Sequence, residues 1–133
     1  MYKVIRSEKI QGQINSLGKS NEKKVELLSG SWDGHYAVAT VVIDNTMPPA
    51  EVHEKSADVW NVLKGAGKFI LGGILVNSKK IRDNELTGDS IDGGDEITVG
   101  PGDIIDIPAN IPHQIDARNG RLEMIIIKVA VAV

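Results

Sequence analysis

Four side chains that could share a metal ion lie in two short stretches of the chain. Glu51, His53 and Asp58 fall within eight residues of one another, in a segment whose alternation and valine and tryptophan content predict β-strand. Residues two apart in a strand project to the same face, so Glu51 and His53 would point the same way. Asp58 opens the next predicted strand, after a short polar turn typical of a hairpin. Two carboxylates and an imidazole make an incomplete metal shell, which needs one more ligand.

The missing ligand is predicted to be His113. It follows a strand that begins at Gly102 and a turn that contains proline, and it stands near the start of the next predicted strand. The chain has three histidines, and two of them fall in these two stretches. The third, His35, begins a strand after a turn and is expected to be exposed or structural. Trp60 shares the parity of Asp58, so it is predicted either to bind substrate in the pocket wall or to lie in the core.

Length and composition predict one domain over residues 1–133, since a chain of 133 residues can bury one ordinary core. Its 15 basic and 18 acidic residues give a net charge of -3, which does not favour nucleic acid as a partner. No apolar run approaches the roughly 18 to 20 residues of a membrane span, and the charged N-terminus lacks the apolar region of a signal peptide. We therefore expect a cytoplasmic protein without a membrane partner. The absence of cysteine excludes disulfides and thiol catalysis.

Strand-length segments recur about every 8 to 12 residues between glycine, proline and asparagine turns, which predicts an all-β sandwich or barrel. No segment has the apolar stripe and caps of a helix, and Tyr2–Ile5 is predicted to be a short strand. Residues 1–24 form an opening segment that could be an arm for dimerisation. Residues 77–96 are predicted to be a long polar excursion between strands.

The two stretches together resemble the motifs of the cupin superfamily, and the resemblance covers roughly residues 37 to 129. The first motif of that family has glycine, H-x-H, an acidic residue and a second glycine. Glu51-Val52-His53 stands at H-x-H, Asp58 at the acidic position, and Gly65 follows Asp58 after six residues. The positions of the second motif are held by Gly102, Pro108, Asn110, His113 and Ala117.

This resemblance implies a double-stranded β-helix, the cupin-type jelly-roll barrel, with a metal ion between its sheets and commonly a homodimer. Of the nine residues at these motif positions, four depart from the pattern. Glu51 replaces the first histidine, and Asp58 is shorter than the usual glutamate. Asn110 replaces a turn glycine, a mild change because asparagine tolerates left-handed backbone angles. Ala117 replaces an asparagine that is not a ligand.

Two arrangements of a metal site follow. In the first, Glu51, His53, Asp58 and His113 all bind, and this oxygen-rich shell suits Fe(II) or Mn(II) better than Zn or Ni. In the second, His53, Asp58 and His113 form a two-histidine, one-carboxylate face, and Glu51 acts as a catalytic general base beside the ion. The sequence leaves both arrangements open.

The functional hypothesis is a metal-dependent enzyme that acts on a small molecule inside the barrel as an oxygenase, isomerase or lyase. In each case the ion would polarise a substrate oxygen or activate dioxygen while a carboxylate moves a proton. The alternative is a non-catalytic module that binds a sugar or another small metabolite, because one fold hosts many functions.

Overall fold

The computed structural model describes residues 1–131 of the chain. This part contains thirteen strands and one helix. In chain order they are α1 Ser7–Leu17, β1 Lys23–Gly30, β2 Tyr36–Asp44, β3 Ala50–His53, β4 Ser56–Gly65, β5 Gly67–Leu71, β6 Ile74–Val76, β7 Lys79–Arg82, β8 Glu85–Gly88, β9 Ser90–Asp92, β10 Asp95–Val99, β11 Ile104–Ile107, β12 His113–Asp116 and β13 Arg121–Ala130. The predicted all-β class is thereby confirmed.

The strands form two large antiparallel sheets and one small one. The five-stranded sheet has the order β1-β2-β13-β4-β11, and the six-stranded sheet has the order β10-β5-β12-β3-β8-β7. Strands β6 and β9 pair separately as a two-stranded sheet. Neighbours in sheet order are mostly distant in the sequence, as in a jelly roll, where each sheet takes strands from both halves of the chain.

The hydrophobic core lies between the two large sheets and takes side chains from both. Val41 and Met124 come from the five-stranded sheet, and Phe69 and Ile115 come from the six-stranded sheet. Alternate residues along each strand face this core because side chains of a strand alternate between its two faces. Trp60 lies in the same cluster, with its ring centroid 5.8 Å from that of Phe69 in an edge-on arrangement. Such a pair adds about 0.5–1.5 kcal/mol to the effect of burial.

The prediction that β3 and β4 form a hairpin is wrong. Strand β3 pairs with β12 and β8 in the six-stranded sheet, whereas β4 pairs with β13 and β11 in the other. Residues 54 and 55 therefore cross from one sheet to the other. This crossing places His53 and Asp58 on opposite walls of the same interior space, because each faces the core of its own sheet.

The N-terminal prediction also needs correction. Residues 1–6 have no regular structure, so the predicted strand at Tyr2–Ile5 is absent, and an unpredicted helix α1 follows. Ile14 of this helix is buried, and the Gln13 amide donates hydrogen bonds of 2.8 Å to the Glu26 carbonyl and to Thr40 Oγ1. The helix packs on β1 and β2 of its own chain. The role of residues 1–24 in dimerisation stays a prediction.

The polar segment at residues 77–96 is more regular than predicted. It contains β7, β8 and β9 instead of a single long loop. Strand β8 pairs with β3, and Glu85 lies opposite His53 in that pairing. Strand β7 is an exposed strand at the edge of the sheet, so its side chains are mostly polar. A polar segment of this kind lacks the apolar alternation from which a strand is predicted. Within residues 1–131, no helix is both long and apolar enough to cross a membrane.

Candidate metal centre

The four predicted side chains meet in the space between the two large sheets. Glu51 and His53 project from the same face of β3, as their spacing predicts. His113 begins β12, the strand beside β3, and its Cα lies opposite that of Glu51. Asp58 reaches the same space from β4 in the other sheet. Two neighbouring strands and one facing strand therefore position the whole set.

The ligand atoms of Glu51, His53 and His113 all lie within 4.8 Å of one another, so this cluster could hold a metal ion. His53 Nε2 lies 3.3 Å from Glu51 Oε2, and His113 Nε2 lies 3.8 Å from the same oxygen. Asp58 Oδ2 faces both imidazoles, at 3.2 Å from His53 Nε2 and 3.5 Å from His113 Nε2. These separations are of the size found between ligands that surround one ion at about 2.0–2.2 Å.

An unpaired imidazole nitrogen points into this cluster. His113 Nδ1 donates a hydrogen bond of 3.0 Å to the carbonyl oxygen of Ile111, which leaves Nε2 as the unprotonated nitrogen. This Nε2 is buried and has no hydrogen-bond partner. Burial lowers the pKa of His113, which keeps the ring neutral. A neutral imidazole with one nitrogen fixed by a backbone carbonyl is the form that binds metal ions, so the residues fit a metal site.

Unlike His113, His53 is protonated and positively charged when no metal is bound. Burial disfavours its imidazolium, but hydrogen bonds to Asp58 and Glu51 outweigh this effect and raise the pKa of His53 to about 10. The pKa of Glu51 is lowered to about 2, because the His53 hydrogen bond and the Lys23 charge outweigh the effect of burial. Burial alone would raise the pKa of Asp58, but His53 and Lys128 outweigh this effect and keep the pKa below its usual range. The metal-free cluster is therefore an ion-pair network.

Glu85 is a partner of the cluster that the sequence does not predict. Both of its carboxylate oxygens lie 2.8 Å from His53 Nδ1, and Arg82 lies 3.7 Å from Glu85 Oε1. A carboxylate on the far nitrogen of a ligating histidine fixes the orientation of the ring. Glu85 holds this place through the pairing of β8 with β3, a long-range contact that no local spacing reveals.

Lys128 is a second unpredicted partner. Its ammonium group donates hydrogen bonds of 2.7 Å to Asp58 Oδ1 and 3.3 Å to Ser56 Oγ. The sequence does contain a signal for this residue. Lys128 continues the parity of Met124 and Ile126 along β13, and both of these face the core. A charged residue at an inward position of an apolar strand indicates a polar interior site.

A cavity of about 740 Å³ adjoins the cluster and is open at one side. Glu51, His53, Asp58 and Trp60 contribute to its wall, as do residues of strands β7 and β8. Trp60 thus belongs to the core and also reaches the cavity. His35 is exposed and lies outside the residues that form this wall within the described chain.

The motif departures have simple structural reasons. Asn110 has a φ of 70°, the left-handed conformation that the usual glycine would adopt, as expected for asparagine. Ala117 is buried in the core and lies apart from the cluster. Gly65 has a φ of 93°, and a Cβ there would lie 1.8 Å from the carbonyl oxygen of Arg121. Only glycine fits at this end of the first motif.

No protein-family model and no curated protein matches this sequence. Solved structures do resemble the fold. DMSP lyase DddQ from Ruegeria pomeroyi is 15% identical, with a TM-score of 0.60 over 82% of this chain and 47% of the lyase. Pac13, a nucleoside dehydratase from Streptomyces, is 16% identical, with a TM-score of 0.58 over 86% of this chain and 75% of Pac13. An oxalate oxidase is 19% identical, with a TM-score of 0.54 over 85% of this chain and 53% of the oxidase.

The chain spans about half the length of the DMSP lyase and of the oxalate oxidase that it resembles. At these low identities the likeness concerns the fold. All three proteins are cupin-type, and they share with this chain the antiparallel sheets that its two sequence motifs predict. The fold of this chain is therefore of the cupin type.

Proposed function

We propose that this chain is a metal-dependent enzyme acting on a small molecule in the cavity beside Glu51, His53 and His113. The observation that carries this proposal is the buried His113 Nε2, which lacks a hydrogen-bond partner and faces two carboxylates and a second imidazole. A buried polar atom without a partner costs about 1–3 kcal/mol, which a bound ion would offset. The adjoining cavity gives a substrate access to that ion.

The four residues differ in how they meet the cavity, and we assign their roles from this difference. The Asp58 side chain is 1% exposed and that of Glu51 is 36% exposed. We assign His53, His113 and Asp58 as ligands of a divalent ion. Glu51 lies on the open side, where it can complete the resting shell and can also reach a substrate. Glu51 is therefore the carboxylate that we assign to proton transfer.

Each remaining partner supports one step of such a reaction. A bound ion would polarise a substrate oxygen and so stabilise negative charge that develops on it. Glu85 keeps the His53 ring oriented by accepting a hydrogen bond from Nδ1. Lys128 holds Asp58 through Oδ1 and leaves Oδ2 directed at the imidazoles. Glu51 takes the proton that the substrate releases.

The mixed nitrogen and oxygen donors favour Fe(II) or Mn(II) over Zn or Ni. Oxygenase, isomerase and lyase reactions all suit this site. The lyase, dehydratase and oxidase among the similar structures support an enzyme and do not select one of these reactions. A homodimer and a cytoplasmic location stay predictions, and the mass of the protein in solution tests the first.

The test is elemental analysis of protein purified without added metal and without a histidine-rich tag. We expect near-stoichiometric iron or manganese in the wild type, loss of most of it in His113→Ala, and full retention in the control His35→Ala. The protein is then offered Fe(II) without oxygen, Mn(II), Ni(II) and Zn(II) in turn. If it binds none of them, the enzyme proposal fails and a non-catalytic binding module takes its place.

A further inference from the structure

Two lysines project into the cavity from the sheet that faces the histidines. Lys23 lies on β1 and Lys128 on β13, and both contribute to the cavity wall. Lys128 Nζ is 2.7 Å from Asp58 Oδ1, and Lys23 Nζ is 3.9 Å from Glu51 Oε1. Each carboxylate of the candidate metal centre therefore has an ammonium group on the side away from the histidines.

The strand register shows that both lysines occupy inward positions. The Cα of Lys23 lies opposite that of Ile43, a fully buried core residue. Lys128 follows Met124 and Ile126 at alternate positions of β13. The side chains of Lys23 and Lys128 are only 27% and 20% exposed, respectively. Lysine at an inward strand position costs free energy of desolvation, so its presence at two such positions calls for an anionic partner.

The carboxylates balance the lysine charges less fully once a metal ion is bound. In the metal-free cluster, Glu51 and Asp58 face the two lysines and also His53, whose other ring nitrogen faces Glu85. A divalent ion bound by Glu51 and Asp58 neutralises these two carboxylates, and the single charge of Glu85 does not balance the two ammonium charges. The other charged residues of the cavity wall carry both signs; they are Asp33, Lys55, Arg82, Asp83 and Glu85. The inner cavity is therefore positive once the ion is in place.

We propose that the substrate is a small organic anion whose carboxylate or phosphate group lies between Lys23 and Lys128, beside the metal ion. This inference rests on the proposed metal-dependent function, because the ion takes up negative charge that otherwise balances the lysines. Ammonium groups bind such oxyanions through charge-assisted hydrogen bonds. Lys23 Nζ also lies 5.9 Å from the centroid of the Trp60 ring, within the range of a cation–π attraction beside the cavity.

The test compares charged and neutral probes by calorimetry on protein loaded with Mn(II). Malate and glycerol phosphate are the anions, and malamide is the neutral counterpart of malate. We expect at least one anion to bind about tenfold or more tightly than malamide, with an affinity that falls as salt rises. A preference for malate or for glycerol phosphate identifies the anionic group.

Variants Lys128→Met and Lys23→Met separate a binding role from a structural one. Each should weaken anion binding by about tenfold, the loss of one charge-assisted contact. Each should also tighten Mn(II) binding, because a positive charge close to the bound cation is removed. A purely structural lysine would weaken both. Lys68→Met, which alters an exposed lysine that lies near Glu96, is the control and should change neither affinity.

Three results would overturn the inference. Equal affinity of Mn(II)-loaded protein for malate, glycerol phosphate and malamide would do so while the metal proposal stands. Unchanged anion binding in both lysine variants would have the same meaning, and Lys23→Met serves if Lys128→Met does not fold. Failure of the wild type to bind Mn(II) or any other ion offered would overturn both proposals, so the two failures are distinguishable.

Discussion

His53 lies among three carboxylates, and this position makes metal binding depend on pH. In the metal-free protein Nδ1 donates to Glu85 while Nε2 faces Glu51 and Asp58, and the pKa of His53 is raised to about 10. An ion that binds Nε2 must displace its proton. Below pH 10 the proton is present, so binding should weaken by about tenfold for each unit that the pH falls from 9 to 6.

The measurement is the heat of Mn(II) binding at pH 7.5 in two buffers that differ in their enthalpy of ionisation. We expect the two heats to differ by the amount that release of about one proton for each ion produces. Equal heats in the two buffers would mean that His53 is already neutral or does not bind the ion.

Glu85 should tune the affinity of the site without touching the ion. Glu85→Gln keeps the size of the side chain and removes the charge that stabilises and orients the His53 ring, so we expect Mn(II) affinity to fall by about 10- to 100-fold. Asp83→Asn is the matched control, because Asp83 is an exposed carboxylate two residues away. Titration of both variants with Mn(II) checks this. Equal affinities in the two variants would contradict an orienting role for Glu85.

At the scale of residues, the sequence predicts the meeting of Glu51, His53, Asp58 and His113 because they stand in two motifs that resemble those of cupins. Two short motifs contain all four. Glu85 has no such signal, since it meets His53 only through pairing of strands 32 residues apart. Lys128 lies between these cases. Its parity along β13 indicates an inward position, but the residue that it meets depends on the neighbouring strand β4.

At the scale of elements, alternation predicts which residues of a strand face inward and does not predict which sheet holds the strand. Strands β3 and β4 read as a hairpin because their connection is short, yet they belong to different sheets. Helix α1 is missed for a related reason. Its apolar stripe consists of Ile10, Ile14 and Leu17, too narrow to predict a helix without the sheet that it covers.

The buried position of Ile14 gives this helix a testable role in stability. Ile14→Ala leaves a cavity between α1 and the outer face of β1 and β2, so we expect the free energy of unfolding to fall by about 2–5 kcal/mol. Val4→Ala alters an exposed side chain of the same terminal segment and should change the free energy of unfolding by less than about 0.5 kcal/mol. Urea unfolding of both variants provides the comparison. An unchanged midpoint for Ile14→Ala would mean that α1 does not pack on the sheet in solution.

At the scale of the whole molecule, the fold class follows from features that repeat along the chain. Turn signals at regular intervals predict an all-β protein. The resemblance of the two motifs to those of cupins implies the jelly-roll arrangement. The space between the sheets is a different matter. Which side chains line this space depends on which strands face each other. The cavity and its lysines therefore cannot be predicted until the arrangement of both sheets is known.

A metal ion in this space would join the two sheets, because His53 and His113 belong to one sheet and Asp58 to the other. Mn(II) at 100 times its dissociation constant should therefore stabilise the native state by about 2.7 kcal/mol, provided that it does not bind the unfolded chain. For a domain of this size, that corresponds to a rise in Tm of roughly 10 °C. Thermal unfolding with and without Mn(II) tests this expectation. His113→Ala should lose the rise, and His35→Ala should keep it; an equal rise in both variants would place the ion away from the space between the sheets.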